Sequence, residues 1–571
     1  MNKKEIAHIL EEIGIILDLK GENPFKVRAY YNGARIIENL DRDITDLVNS
    51  GELAQIKGIG KALAEKISTL VRYKSLPYYE ELKSSIPEGL LQMLKIPGLG
   101  AKKVKVIYDK LGISNIGELE YACRENRLRD LQGFGPKSQD KILTSIKLQK
   151  TYSERFLIPV AKNEGELFIA YLKKNSNLTR IEIAGSLRRK LETIKDLDFI
   201  ASCAEGQRKG IMQYFVSYEK NIQIVSQGTT KSAIILDSGI TAELRLVNDS
   251  EFPFLLQHAT GSKEYNTQMR RLAKDQNFKL NEYGLFSGDI PIACKNEEEI
   301  YYKLGLQIIP PPLREGMGEI ELAQASTPLE IFDGTPFWGL FHVHTTYSDG
   351  ANSLKDMAEA CIKMGLTYIG ICDHSKSAFY ANGLSEDRVK EQQEEIDKLN
   401  SMFNGFKIFK GIEADILQNG TVDYTDNILA SFDFVVASIH SNFGLSEEAM
   451  TERICRALRN PYVTMLGHPT GRLLLAREPY HVDMEKVIGV AGEEKKIIEI
   501  NANPFRLDLD WRWGKYARSN GVKTSINPDA HSIDGLADYH YGIGIAQKGG
   551  FQKEEILNTF TISEVEKYFK M

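Results

Sequence analysis

The sequence predicts a multidomain chain: an all-helical amino-terminal part, a mixed α+β middle and a carboxy-terminal α/β barrel, distorted and seven-stranded. Three observations carry this. Three Gly-x-Gly turns before residue 150 each open a lysine-bearing helix, a short apolar strand around residue 197 holds two aspartates two positions apart, and seven apolar runs beyond residue 335 end in ligand-type side chains at near-regular intervals. At 571 residues the chain is too long for one core, and its 42% apolar fraction is ordinary for a water-soluble protein. No run of 18 apolar residues occurs, so no membrane span is expected. Acidic residues interrupt MNKKEIAHILEEIGIILDLK at helical spacing, which reads as an amphipathic helix rather than a signal peptide. Six scattered cysteines without a CxxC pair suit reduced thiols and a cytoplasmic setting.

The net charge of −6 argues against nucleic acid, but its distribution does not: residues 51–150 hold 18 Lys/Arg against 11 Asp/Glu, a local balance of +7. Within this region KGIGKALAEKI (57–67), IPGLGAKKVKVI (96–107) and QGFGPKSQDKI (132–142) share one form. Each has an apolar lead-in, a glycine pair (Gly58/Gly60, Gly98/Gly100, Gly133/Gly135) and a helix with lysines. Glycine permits positive φ, and the turn aims unpaired backbone N–H groups outward at a helix N-terminus, which suits a phosphate. One copy is explained by a plain helical hairpin; three point to binding of a phosphate backbone without base reading. The repeats resemble helix-hairpin-helix motifs, and the first resembles the small lyase domain of family X DNA polymerases. That resemblance implies Lys66 as a Schiff-base nucleophile toward an abasic sugar and Lys26, in NPFKVRAY, as a 5′-phosphate ligand. Read from chemistry alone, Lys66 serves equally as a phosphate contact.

In IEIAGSLRRKLETIKDLDFIAS (181–202), Asp196 and Asp198 fall on one face of a strand by period two. Two neighbouring carboxylates call for bridging cations, and magnesium on a phosphate is the obvious set. The preamble AGSLRRKLET resembles the family X palm, which implies that Gly185, Ser186 and Arg189 hold a nucleotide triphosphate. HATGSKEYNTQMRRLA (258–273) with NEYGLF (281–286) resembles the nucleotide-binding segment, implying contacts from Gly261, Asn266 and Arg270. Two positions depart from the family pattern. Glu243, in AELRLV, stands where the third palm aspartate is expected, and Ala259 replaces an aromatic residue, so weak insertion is expected.

YYKLGLQIIPPPLREGMGEIELAQAS then reads as a connector stopped by Pro310, Pro311 and Pro312, and also resembles the end of bacterial family X polymerase cores. Beyond it come GLFHVH, YIGICDH, KIFKGIEAD, DFVVASIH, YVTMLGH, KIIEINAN and VKTSINPDAH; taking the strand ends at 344, 374, 413, 440, 468, 501 and 531, the gaps are 30, 39, 27, 28, 33 and 30 residues. These are βα units, with ligand types at the strand ends where α/β barrels do chemistry. Six of the ten histidines lie there: His342, His344, His374, His440, His468 and His531, joined by Asp349, Glu413 and Asp529. Nine ligands exceed the needs of one tetrahedral ion; the mixed N/O set suits two or three ions of Mn²⁺, Zn²⁺ or Fe. The constellation resembles the PHP (polymerase and histidinol phosphatase) domain, whose ligands map onto these nine residues. Arg472, in GHPTGR, is expected to contact a phosphate.

The whole chain resembles bacterial family X DNA polymerase with a carboxy-terminal PHP domain. The expected domains are 1–85 (lyase-type, helix-hairpin-helix), 86–150 (helix-hairpin-helix), 151–255 (palm), 256–320 (nucleotide-binding subdomain, with the fingers), 321–335 (linker) and 336–571 (PHP). The resemblance implies a DNA repair enzyme with gap-filling nucleotidyl transfer, 3′→5′ exonuclease activity and abasic-site cleavage. Its expected cofactors are Mg²⁺ or Mn²⁺ in the polymerase site, and its partners gapped or primer-template DNA and dNTPs. A monomer in the bacterial cytoplasm, nucleoid-associated through DNA, is expected. The alternatives are a polymerase-impaired DNA-binding nuclease and a small-molecule phosphatase of histidinol-phosphatase type.

Overall fold

The computed structural model describes all residues except 2, 39, 41, 130, 132, 150–153, 326–328 and 571. The chain forms two compact units, Met1–Leu148 and Gln149–Met571. The expected domain boundary at 150/151 and part of the expected 321–335 linker lie outside the described residues.

The first unit is helical. Helices α1 (Lys3–Leu19) and α2 (Pro24–Glu38) pack their apolar faces with α3 (Lys61–Tyr73) around Leu10, Ile13, Ile37 and Ile67. A second apolar cluster around Met93, Val104, Ile107 and Leu119 joins α4 (Ala101–Leu111) and α5 (Pro136–Gln149). The glycine turns sit where expected: Gly58, Gly98 and Gly133 have φ of 99°, 89° and 87°, values reached cheaply only without a Cβ.

The second unit begins with a five-stranded mixed sheet of β1 (Arg180–Ile183), β2 (Asp196–Ser202), β3 (Asn221–Gln227), β4 (Lys231–Leu236) and β5 (Thr241–Val247), in the order β1-β2-β5-β4-β3. Strands β2 and β5 run parallel with Asp198 opposite Glu243. Next come α6 (Phe252–Thr260), α7 (Lys263–Asp275) and a three-stranded sheet of β6 (Phe278–Asn281), β7 (Gly284–Ser287) and β8 (Ile290–Ile292).

The stretch after residue 305, expected as a connector, is packed instead. Arg314 is fully buried and donates from Nη1 to Glu297 at 2.5 Å, and Pro312 is buried. Further on, Phe332 is buried with its N–H on the Phe551 carbonyl at 3.0 Å. Pro311–Leu313 form a single 3₁₀ turn rather than irregular chain, and a buried ion pair fastens the segment to the core.

The barrel follows. Strands β9 (Gly339–Val343), β10 (Tyr368–Ile371), β11 (Lys407–Asp415), β12 (Phe434–Ser438), β13 (Met465–Leu466), β14 (Ile497–Asn501) and β15 (Thr524–Asn527) are all parallel and in sequential order. A Val343–Ala530 bridge brings the last unit back to the first. Phe341, Tyr368, Phe409, Phe434 and Met465 fill the interior near the strand starts, so the ligand-bearing strand ends form the opposite rim. The distortion is local: the β9–β10 register shifts between Leu340 and Val343, where His342 has φ 56°. Among the described residues no helix is long and apolar enough to cross a membrane.

Candidate functional site

Two sites are built in the second unit. The first is a cleft of about 360 Å³ lined by Gly185, Ser186, Arg189, Asp196, Asp198, Gly261, Asn266 and Arg270, all expected from sequence, and by His258, Ala259, Ser262 and Lys263. Asp196 and Asp198 share a face of β2, as alternation requires, with Leu197 buried behind them. Burial first, then the charges of Asp196 and Glu243, push the Asp198 carboxyl up to about 7. Carboxylates crowded this way fit bridging divalent cations. Gly185 (φ 62°) opens the helical turn Gly185–Arg188, and a Cβ there would lie 1.9 Å from the Asp198 carboxylate. The glycine therefore lets the phosphate-type loop close directly on the aspartate.

The other side chains around the cleft are already tied to the protein. Arg189 donates from Nε to Glu315 at 3.1 Å and from Nη1 to the Thr260 carbonyl. Asn266 donates to the His258 carbonyl at 2.7 Å and accepts from Gln257 at 3.1 Å, so its amide braces the cleft wall. Arg270 donates to the Asn266 carbonyl at 3.2 Å. Glu243 lies beside Asp198 in register, yet its carboxylate pairs with Lys231 at 2.7 Å and Arg245 at 2.8 Å. Burial would raise its pKa, but these two cations hold it below the ordinary carboxylate value.

The second site is the barrel rim, where all nine expected ligands converge. His344, Asp349, His374 and His531 form one group whose donor atoms lie within 4.8 Å of one another; His342, His344 and Asp529 form a second, and His374, Glu413 and His440 a third. His344 and His374 are shared, and His468 Nε2 reaches Glu413 at 3.0 Å. His342 and His344 converge through the β9 irregularity rather than plain alternation. His468 and Asp529 also have positive φ (24° and 51°), backbone strain of the kind concentrated at functional sites.

Burial would lower the His374 pKa, but Asp349 and Glu413 outweigh it and push it up to about 10. His344 is driven down to about 3 by burial and by His531 and His374. His342 Nε2, both ring nitrogens of His344 and His374, Glu413 Oε2 and His440 Nε2 are buried without a hydrogen-bond partner. Buried polar atoms normally have partners, so a converging set that lacks them fits metal ions.

Sequence reading missed the residues that orient these ligands. Glu499 on β14 lies 2.6 Å from His342 Nδ1 and accepts from the His468 N–H at 2.7 Å and from Asn527 at 2.8 Å. Asp415 lies 2.6 Å from His440 Nδ1. Asp373 accepts from the Thr345 N–H and hydroxyl, both at 2.7 Å, fixing the loop that carries Asp349. Such carboxylates set imidazole orientation and basicity. Their signal was present as acids within or at the end of apolar strand runs, KIIEIN, GIEAD and GICDH. Arg506 is buried with Nε 3.6 Å from Asp529.

Arg472, expected on a phosphate, is instead a buried brace. It donates to the Arg506 carbonyl at 2.9 Å, to Asp510 at 2.5 Å and to the Leu507 carbonyl. Its fork is occupied by the 506–510 turn, whose carbonyls need donors in the interior.

The first unit carries the remaining expected residues. Gly60 and Gly100 precede α3 and α4 without a side-chain cap, so the helix N-terminal amides face outward. A Cβ on Gly60, Gly98, Gly100, Gly133 or Gly135 would meet open space. Lys66 is half-buried with its Nζ 4.8 Å from the Tyr78 ring centroid, and Lys26 is exposed and pairs with Glu22 at 3.3 Å.

Family models match along the chain: a helix-hairpin-helix domain over residues 1–76, a SAM-like helix-hairpin-helix tandem over 90–147, a DNA polymerase beta thumb over 255–315 and a PHP domain over 341–503. The chain is 38% identical over 575 aligned positions, covering 100% of both sequences, to the DNA polymerase/3′-5′ exonuclease PolX of Bacillus subtilis (strain 168). It is 31% identical to a probable phosphatase of Thermoanaerobacter sp. (strain X514), across 40% of this chain and 93% of that protein. With helix-hairpin-helix turns, a paired-aspartate cleft and a histidine-rimmed barrel in one chain, and full-length identity of 38% to such an enzyme, this protein belongs to the bacterial family X DNA polymerases that carry a carboxy-terminal PHP domain.

Proposed function

We propose that the chain repairs DNA by two activities in one polypeptide: gap-filling nucleotide insertion at the Asp196/Asp198 cleft, and 3′→5′ exonucleolytic trimming at the barrel rim. The observation that carries this is the coexistence of two separately built sites in the second unit, each with its own carboxylate set. Asp196, Asp198 and Glu243 would hold Mg²⁺ or Mn²⁺, and the nine rim ligands two to three ions of Mn²⁺, Zn²⁺ or Fe. When bound, such cations neutralise phosphate charge and make a hydroxide nucleophile available near neutral pH.

The protein's own groups do the positioning. Backbone N–H groups of the Gly185–Arg188 turn, with Ser186 and Arg189, receive the triphosphate; Gly261, Asn266 and Arg270 shape the cleft for the base and sugar. Asp196 and Asp198, on one face of β2, are placed to hold such cations beside the primer terminus. At the rim, Glu499 and Asp415 hold His342 and His440 in one orientation, so the phosphodiester meets a preset array. The glycine turns and the lysines after them hold the DNA backbone, with Lys26 on a 5′-phosphate and Lys66 the candidate nucleophile for an abasic sugar. The enzyme works as a monomer in the cytoplasm, recruited to the nucleoid by its DNA.

The Lys231 and Arg245 pairs of Glu243 favour a further reading, in which insertion is weak and trimming dominates. The deciding experiment incubates a 5′-labelled gapped duplex with Mn²⁺, with and without dNTPs. Lengthening lost in Asp198→Ala and shortening lost in His344→Ala would support both assignments. A duplex left unaltered by the wild-type protein would refute them.

A further inference from the structure

The loop that follows the Gly185–Arg188 turn is gripped from two sides. On one side Arg188 pairs with Glu297 at 2.5 Å, and Glu297 also holds the buried Arg314. On the other stands the barrel domain's helix α8 (Tyr539–Lys548), whose Gln547 accepts from Lys190 Nζ at 2.6 Å. Lys548, the last residue of that helix, is a fully buried amine. Its Nζ donates to the Arg189 carbonyl at 3.1 Å, the Pro312 carbonyl at 3.2 Å and Glu315 Oε1 at 2.5 Å, and lies 4.4 Å from the Trp511 ring centroid. The same Glu315 oxygen accepts from Arg189 Nε at 3.1 Å. One carboxylate thus joins a lysine of the barrel domain to the arginine at the cleft.

We propose that Lys548 is a positioning residue for nucleotide insertion: through Glu315 and the Arg189 carbonyl it holds the Arg189 guanidinium at the cleft, so that the barrel domain sets nucleotide affinity in the polymerase site. The inference rests on the assignment of Arg189 to the triphosphate. A buried ammonium is retained only with close partners, and all three donors of Lys548 are used. Because Lys548 shares the Glu315 charge, Arg189 keeps cationic character toward the cleft. Without Lys548, Glu315 turns wholly to Arg189 and neutralises it, and the Arg189 carbonyl loses its donor. Both changes weaken the hold on an anionic ligand.

The test uses the full chain and single-turnover insertion into a one-nucleotide gap at varied dNTP. Lys548→Met removes the amine and leaves Glu315 to Arg189 alone, and the exonuclease rate of the same preparation reports whether the variant has folded. The apparent dNTP Kd should rise roughly tenfold in Lys548→Met, the loss of about one charge-assisted hydrogen bond's worth of affinity. Exonuclease rate on the same preparations should stay within about twofold, because Lys548 touches no rim ligand. Arg189→Ala should show at least as large a rise. If Lys548→Met keeps its exonuclease and the wild-type dNTP Kd while Arg189→Ala loses affinity, Lys548 is only a domain staple and the coupling is wrong. If Arg189→Ala also binds dNTP normally, the triphosphate assignment fails and the inference falls with it.

Discussion

Glu243→Asp should speed insertion, and the structure gives the size of the effect. Glu243 sits directly across from Asp198, but its longer side chain leans to Lys231 (2.7 Å) and Arg245 (2.8 Å). Both partners are about half exposed, at 50% and 40%. To complete a three-carboxylate site the glutamate must leave both. Exposed pairs are worth about 0.2–1 kcal/mol each, so leaving two costs about 0.5–2 kcal/mol, or roughly 2- to 30-fold in rate. Aspartate is shorter by one methylene, about 1.5 Å, and reaches the two cations poorly while still facing Asp198. The single-turnover insertion rate should therefore rise roughly tenfold, with DNA affinity and exonuclease rate unchanged. Lys231→Met, which removes one competitor, should give a smaller rise. Asp198→Ala should abolish insertion. A fall in insertion rate in Glu243→Asp would show that the site is adapted to glutamate and that the ion pairs do not compete with it.

Three further outcomes are expected. The three overlapping rim groups should retain roughly two to three ions per chain by elemental analysis. Chelation or His344→Ala should then abolish trimming while DNA binding survives; trimming at full rate with one ion or none would remove the rim's role. Gly98→Val/Gly100→Val should weaken DNA binding roughly tenfold and flatten its steep salt dependence, while hydrolysis of a small phosphodiester, read on the same preparation, stays intact. Gly185→Ala puts a Cβ 1.9 Å from the Asp198 carboxylate at φ 62°, so insertion should drop roughly a hundredfold with trimming unaffected; normal insertion in that variant would mean the loop can retreat without loss.

How far the sequence could be read differed from element to element. The barrel was legible because a βα unit announces itself locally: an apolar run, a polar strand end and a helix recur about every thirty residues, and the seven parallel strands follow that order. The rim cluster of six histidines and three carboxylates was legible for the same reason, its members standing at the ends of successive strands. Glu499 and Asp415 stood in the same strands, but that each acid orients a histidine, His342 or His440, is a cross-barrel fact. The stretch after residue 305 shows the limit from the other side. Its prolines promise irregular backbone, and only the pairing of Arg314 with Glu297 makes it part of the core.

By itself, then, the sequence determined the three kinds of architecture, the glycine turns, the aspartate pair and the rim cluster, all of which are patterns within one element or a regular succession of elements. Tertiary structure alone decided the partners of long polar side chains. Arg472 went to the 506–510 carbonyls instead of a phosphate, Glu243 to Lys231 across a strand pair, and Lys548 to Glu315 from 233 residues away. The physical reason is that backbone periodicity is fixed by neighbours within a few residues. A buried guanidinium, ammonium or carboxylate instead takes whichever opposite charge or carbonyl packing brings within about 3 Å, and no spacing along the chain encodes that choice.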